Sequence, residues 1–231
     1  MKIIEKIRHY LARRNSTSYI KYLQSKGVKI GKGTVITIPK LFDIDLSRPF
    51  MITIGENCRL NAHMTIMCHD AASKVFRETK GELLPSNGSV NIGNNVYFGR
   101  YTTVLKGVTI GDNCIIGFGS TVMKDIPANS VAVGSPAKVI CTLDEYYERR
   151  KNKALEESFE YARSIKERFN RRPIPADFFE SFVWFVNGNE VDKYPEIPIK
   201  YQLGPGYEQW VKNHKAKFSS FDEFLNAAGI E

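Results

Sequence analysis

Few side chains here can exchange protons near neutral pH, and the four histidines mark where to look. His63 and His69 fall in the middle of the chain, one six-residue step apart, whereas His9 and His214 lie in its flanks. An imidazole, with a pKa near ~6.5, can take a proton from a hydroxyl at neutral pH. It does so best when an acceptor holds its other ring nitrogen and fixes the tautomer. Asp70 is adjacent to His69, but alternation along an extended strand sends neighbouring side chains to opposite sides. Two close histidines also raise a metal site. A catalytic zinc usually takes three protein ligands, and this region offers no third histidine, so no metal is expected. The bland alternative for His69 is a structural imidazole satisfied by a backbone carbonyl.

Whatever positions these side chains must follow the rhythm around them. From Ile92 to Pro127 an aliphatic or aromatic residue recurs at every sixth position: Ile92, Phe98, Val104, Ile110, Ile116, Val122. Glycine follows at Gly93, Gly99, Gly111 and Gly117. Four places after each apolar residue stand Val96, Thr102, Val108, Cys114, Ser120 and Ile126. This period fits neither a helix nor an isolated strand. It fits a triangular solenoid with one short strand per side, corners turned at glycine or asparagine, and three hexads per coil. Ile92 should then stack under Ile110, Phe98 under Ile116 and Val104 under Val122. The rhythm begins at Ile30, Ile36 and Phe42, is blurred by Pro39 and residues 43–50, and resumes at Ile54, Leu60 and Ile66. It breaks again at His69. Residues 70–89 are polar and must leave from an edge, because a bulge inside a coil would disrupt both neighbours.

The run IGNNVYFGRYTTVLKGVTIGDNCIIGFGSTVMKDIPANSVAVGSPAKVI, Ile92 to Ile140, resembles the C-terminal coils of the hexapeptide-repeat acyltransferases. The branch it is most similar to is that of the sugar O-acetyltransferases, which includes the maltose and galactoside enzymes. The resemblance implies a left-handed parallel β-helix; strand crossovers are otherwise almost always right-handed. It also implies acetyl-CoA as co-substrate, a homotrimer, and His69 as the catalytic histidine preceding a similar loop. Glu82, in LysGlyGluLeu, matches a Gly-Glu step whose carboxylate returns to that histidine, although the loop here is longer. Acetyl-CoA contacts carry over to Gly99, Arg100, Gly117 and Phe118 through the backbone, and to Lys124 and Lys138 near the phosphates. Tyr97 stands where tryptophan is common in the family, a departure that bears on the acceptor wall. The acceptor site does not carry over residue by residue. Asp43 and Asp45, one coil before His69, could meet sugar hydroxyls, as could Asn61 and Arg77.

The expected architecture is mainly β: a helical cap over 1–29, a left-handed β-helix over 30–140 with the excursion 70–89, and a helical and irregular extension over 141–231. Ile3, Ile4, Ile7, Tyr10 and Leu11 give residues 2–14 an amphipathic helical pattern, ringed by Lys2, Lys6, Arg8, Arg13 and Arg14. Such a helix either covers the open end of the solenoid or lies on an acidic membrane surface. A second helix is expected over 18–25, ending at Gly27. Residues 143–170 are helix-favouring. The aromatics beyond Pro173 read as core and interface packing ahead of sugar platforms.

The 231 residues, 42% of them hydrophobic, suffice for a core, and the net charge of +8 suggests anionic partners or a solvated basic face. No helix-turn-helix or RNA-binding motif supports nucleic acid as a partner. Four cysteines, Cys58, Cys68, Cys114 and Cys141, form no metal or disulfide spacing and read as reduced thiols. No apolar window is long enough to span a bilayer, so the cytoplasm is the expected compartment, with contact at the inner membrane face left open. The function these features imply is acetyl-CoA-dependent O-acetylation of a sugar or lipid-linked sugar, in surface polysaccharide synthesis. The alternatives are N-acetylation of an amino sugar and a non-enzymatic solenoid scaffold.

Overall fold

The computed structural model describes residues 3–231, so Lys2 of the N-terminal helical pattern lies outside the described residues. The chain divides into two compact units, residues 1–147 and 148–231. The first is built on three sheets, parallel except for the final strand of the second, and each complete coil gives one strand to every sheet. One holds β1 (Lys29–Ile30), β4 (Ile52–Ile54), β7 (Val90–Ile92) and β10 (Thr109–Ile110). The second holds β2 (Val35–Ile36), β5 (Arg59–Leu60), β8 (Tyr97–Phe98), β11 (Ile115–Ile116), β13 (Ser130–Val133) and β14 (Lys138–Thr142). The third holds β3 (Asp43–Ile44), β6 (Thr65–Ile66), β9 (Thr103–Val104) and β12 (Thr121–Val122).

The ladders expected from the six-residue period are present. Ile92 pairs with Ile110, Phe98 with Ile116 and Val104 with Val122, all in parallel register. The inward residue of each two-residue strand in these coils is buried and its neighbour less so, as a pleat with one wet face requires. Each inward Ile, Val or Phe contributes about 1.5–3 kcal/mol of burial. Phe98 is completely buried. Phe98→Ala is expected to cost about 3–5 kcal/mol, read as a lower urea midpoint at constant slope. Thr102 and Ser120, polar yet buried at the fourth position after an inward residue, donate to the Gly99 and Gly117 carbonyls at 2.7 Å each. Cys58 and Cys114 occupy the same station and are buried, and none of the four cysteines is in a disulfide.

One column of corners is turned by asparagine in the left-handed region: Asn95, Asn113 and Asn129, with φ of 54°, 56° and 56°. Their amides form a ladder, Asn95 Nδ2 donating to Asn113 Oδ1 at 2.9 Å and Asn113 Nδ2 to Asn129 Oδ1 at 3.0 Å. At the top, β14 folds back antiparallel on β13 and covers its edge. At the bottom, the cap is not the first helix. α1 (Ile3–Ala12) buries no residue, whereas α2 (Ser16–Ser25) buries Tyr19 and Leu23 in the solenoid core. α2 starts two residues before the expected Ser18, because Asn15 caps it by accepting from the Ser18 amide at 2.9 Å. The excursion after β6 contains a further helix, α3 (Ser73–Lys80), ended by Gly81 at φ 68°.

α4 (Leu143–Phe169) runs from the first unit into the second. The second unit has its own core, in which Ala162 and Ile165 meet Phe178, Phe182, Phe185 and Phe224. Phe178, Phe182 and Phe185 are thus packing residues, while Phe179 and Tyr201 are exposed. Short helices α5 (Ile199–Leu203), α6 (Tyr207–Asn213) and α7 (Phe221–Ala227) complete it. No helix among the described residues is long and apolar enough to cross a membrane.

Candidate active site

The chain leaves the third sheet for the first at one edge of the prism, and there the hexad rhythm fails twice in successive coils. The link from β3 to β4 carries Asp45, Ser47 and Arg48; the link from β6 to β7 carries His69 and the excursion. Strand register stacks them, since Asp43 pairs with Thr65 and Ile44 with Ile66. His69 Nδ1 is hydrogen-bonded to Asp45 Oδ2 and lies 3.2 Å from Ser47 Oγ. Asp45 is nearly sealed, its side chain 8% exposed, against 32% for His69.

Asp45 is held on every side. Ser47 donates to its Oδ1 through Oγ at 2.6 Å and through its amide at 2.9 Å, and Cys68 Sγ donates to Oδ2 at 3.0 Å. Arg48 Nη1 donates in turn to Ser47 Oγ at 3.0 Å. Burial opposes ionisation of Asp45, but the bonds from Ser47, Cys68 and His69 outweigh it and hold the carboxyl well below the usual carboxylate range. The Cys68 thiol is pushed up to about 12, by burial first and then by its hydrogen bond to Asp45 and that residue's charge, so it stays protonated and serves as a donor. An ionised Asp45 can only accept at Nδ1, so the neutral ring that suits this contact is the tautomer with its lone pair on Nε2. No described residue hydrogen-bonds that nitrogen. Such an arrangement can accept a proton at Nε2 and stabilise the imidazolium that results.

Asp70 turns away from His69, as alternation requires. It accepts from Ser86 Oγ at 2.8 Å and pairs with Lys106 from the next coil, which pins the base of the excursion. His69 itself makes an antiparallel bridge to Asn87, and the Gly88 amide donates to the Cys68 carbonyl at 3.0 Å. A Cβ on Gly88 would meet the Gly107 nitrogen at 2.6 Å, so only glycine allows the returning loop this close to the next coil.

The other residues singled out from sequence fall in separate places. Glu82 does not reach His69: it is exposed beyond the end of α3, and the position expected for it on Nδ1 belongs to Asp45, the residue expected to meet a sugar hydroxyl. Arg77 is exposed on α3. Asp43 lies on β3 and Tyr97 on β8, in different sheets. Asn61 donates its amide to the Phe98 carbonyl at 2.7 Å, a scaffold bond. Gly99, Arg100, Gly117 and Phe118 cluster with Asn61 on a second edge, between the second and third sheets. There a Cβ on Gly99 would strike the Phe118 nitrogen at 2.5 Å, and Phe118 is 71% exposed. His63 sits on this second edge too, stacked on Tyr101 at 4.4 Å, because one hexad carries a side chain to the next corner. Lys124 follows β12 at the edge of His69, two coils up, and Lys138 lies on β14; both are exposed. Ser47, Arg48 and Lys106 were not expected from sequence. The signal for them was two consecutive coils losing their rhythm at the same corner.

A cleft of about 870 Å³ in the second unit, walled by Asn187, Lys212, His214, Lys217 and Glu223 among others, includes none of the catalytic, cofactor or acceptor residues expected from sequence.

Residues 89–124 match the bacterial transferase hexapeptide family (six repeats). Galactoside O-acetyltransferase of Escherichia coli (strain K12) is 35% identical over 106 residues, 45% of this chain and 50% of that protein. YvoF of Bacillus subtilis (strain 168), an acetyltransferase by name, is 33% identical over 127 residues, 55% of this chain and 67% of that protein. The match thus spans about half the length of the first of these relatives. Among solved structures, a maltose O-acetyltransferase from Clostridium difficile 630 aligns over 62% of this chain and 89% of its own, at 25% identity and a TM-score of 0.41.

Proposed function

Because the chain belongs to the hexapeptide-repeat family of bacterial acetyltransferases, we propose that it moves an acetyl group from acetyl-CoA to a sugar hydroxyl, with His69 as general base and Asp45 as its orienting partner. The observation that carries this reading is the bond from His69 Nδ1 to a nearly sealed carboxylate, with Nε2 left without a partner. In the reaction, His69 Nε2 takes the hydroxyl proton as the sugar oxygen attacks the thioester carbonyl. Asp45 stabilises the imidazolium while the new ester bond forms and the carbon–sulfur bond breaks. Nε2 then returns the proton to the departing thiolate. Acetyl-CoA supplies an activated acyl group, so no covalent acyl-enzyme is required and much of the acceleration comes from holding the two substrates together.

The edge carrying Gly99 and Gly117 suits an extended pantetheine arm through its exposed residues Arg100 and Phe118, whereas Gly99 is buried against the next coil. Lys124 and Lys138 suit the phosphates as point charges. This edge and the edge of His69 are different corners of one prism. That separation supports a homotrimer in which the His69 edge of one copy faces the glycine edge of the next, and the family supports the left-handed winding. Residues 30–140 would form the catalytic body and 141–231 an extension that bears on acceptor choice.

The test is a panel of acceptors assayed for thiol release from acetyl-CoA, with molar mass measured by light scattering. Release with sugars bearing only hydroxyls, from a particle of three copies, is the expected result. Release confined to amino sugars, or none above hydrolysis with any acceptor, would reject hydroxyl acetylation.

A further inference from the structure

α1 is amphipathic with its sides reversed. Its polar side faces the protein: Glu5 accepts from Lys26, and the His9 ring stacks on Tyr19 and Tyr22 of α2 at 5.8 and 5.2 Å. At the helical step of about 100° per residue, the opposite side carries Ile3, Ile4, Ile7, Tyr10 and Leu11 in one stripe. All five point to solvent, with Ile3 77% exposed, Ile7 53% and Tyr10 71%. A run of large apolar side chains on the outside of a helix marks a surface that something covers.

Charge identifies the cover. Lys6 and Arg8 flank the stripe on its two sides and Arg14 extends it past the helix end, all exposed. Arg8 reaches Glu5 at 3.4 Å yet stays 69% exposed, and Glu5, the one acidic residue of the helix, is turned to α2 and bridged by Lys26. The outward surface is therefore apolar at its centre and cationic at its rim, on a chain of net charge +8. A second copy set against this face would bring its own Lys6 and Arg8 toward them. A layer with acyl chains inside and phosphates outside satisfies both parts.

We propose that α1 docks this protein on an anionic lipid surface, the stripe at the acyl boundary and Lys6 and Arg8 among the headgroup phosphates. The docking stands independently of acetyl transfer.

The test sediments the full chain with phosphatidylcholine vesicles, with and without phosphatidylglycerol, and measures molar mass without lipid. Binding should require phosphatidylglycerol and weaken with salt. Lys6→Glu with Arg8→Glu should weaken it roughly tenfold or more. Ile3→Ser with Ile7→Ser should abolish it while thermal unfolding stays put, since both side chains are exposed. Failure of the parent protein to bind phosphatidylglycerol vesicles, or equal binding by the variants, would overturn the proposal. So would a fall in molar mass of the Ile3→Ser, Ile7→Ser variant without lipid, which would mean that another copy covers the stripe.

Discussion

A His69→Ala variant is expected to release thiol from acetyl-CoA about 10²–10⁴-fold more slowly at saturating acceptor, with its urea midpoint and molar mass close to the parent's. The size of the effect follows from what the imidazole does in the proposed reaction. A sugar hydroxyl is a weak nucleophile until its proton leaves, and no other described side chain at that edge offers a neutral base beside an open position. Asp45 is enclosed by Ser47, Cys68 and His69 itself, and Asp70 is tied to Ser86 and Lys106. The small effect on stability follows from packing. His69 is partly exposed and lies outside the buried ladder, and Asp45 keeps its donors from Ser47 and Cys68 when the ring is gone. Stopped turnover in a folded, assembled protein is the signature of a reacting group. Unchanged turnover would remove His69 from the chemistry and leave it a structural imidazole.

The coil body was legible because a period of six has one physical solution: Ile92, Phe98 and Val104 could be matched with Ile110, Ile116 and Val122 without any knowledge of contacts, and the structure pairs them so. Reading failed where the period did. Between the coils that carry Asp45 and His69 the register shift is not the regular one; Ser47 and His69 are 22 residues apart, whereas Asn95 and Asn113, in regular coils, are 18 apart. Counting coils places Asp45 one coil before His69 but does not show that its carboxylate turns to the ring rather than to a sugar hydroxyl, and the expectation for Glu82 rests on resemblance to enzymes with shorter loops. A separate insertion after His69 gave α3, whose helical end leaves Glu82 in solvent. The orientation of α1 was illegible for another reason. Its pattern shows an apolar stripe and a polar side, but not which of them meets the protein; that was decided by Glu5 and His9 finding partners on α2, and by Tyr19 and Leu23 having already closed the solenoid.

Asp45→Asn is expected to cost turnover nearly as much as loss of the histidine, up to about 10⁴-fold, while Glu82→Gln stays within about twofold. A neutral amide can still touch Nδ1, but it stabilises no imidazolium, and its NH₂ group can bind the wrong tautomer and put the proton on Nε2. As Asp45 acts through His69, the loss should fall on kcat rather than on KM for acetyl-CoA. Stability supplies an independent reading. The folded carboxyl is depressed below its unfolded value of ~3.9, because its hydrogen bonds outweigh its burial. Its contribution is therefore complete above the unfolded pKa and is lost as pH falls from about 4 toward the folded value. The parent should thus exceed Asp45→Asn by roughly 1–3 kcal/mol at neutral pH, and the gap should close in acid, measured by urea unfolding across pH. If Asp45→Asn kept full turnover and Glu82→Gln lost it, the excursion would have to fold back on substrate binding and replace Asp45 on Nδ1. The pH-dependent stability gap would survive that result, which separates a carboxylate that only supports the fold from one that also serves the reaction.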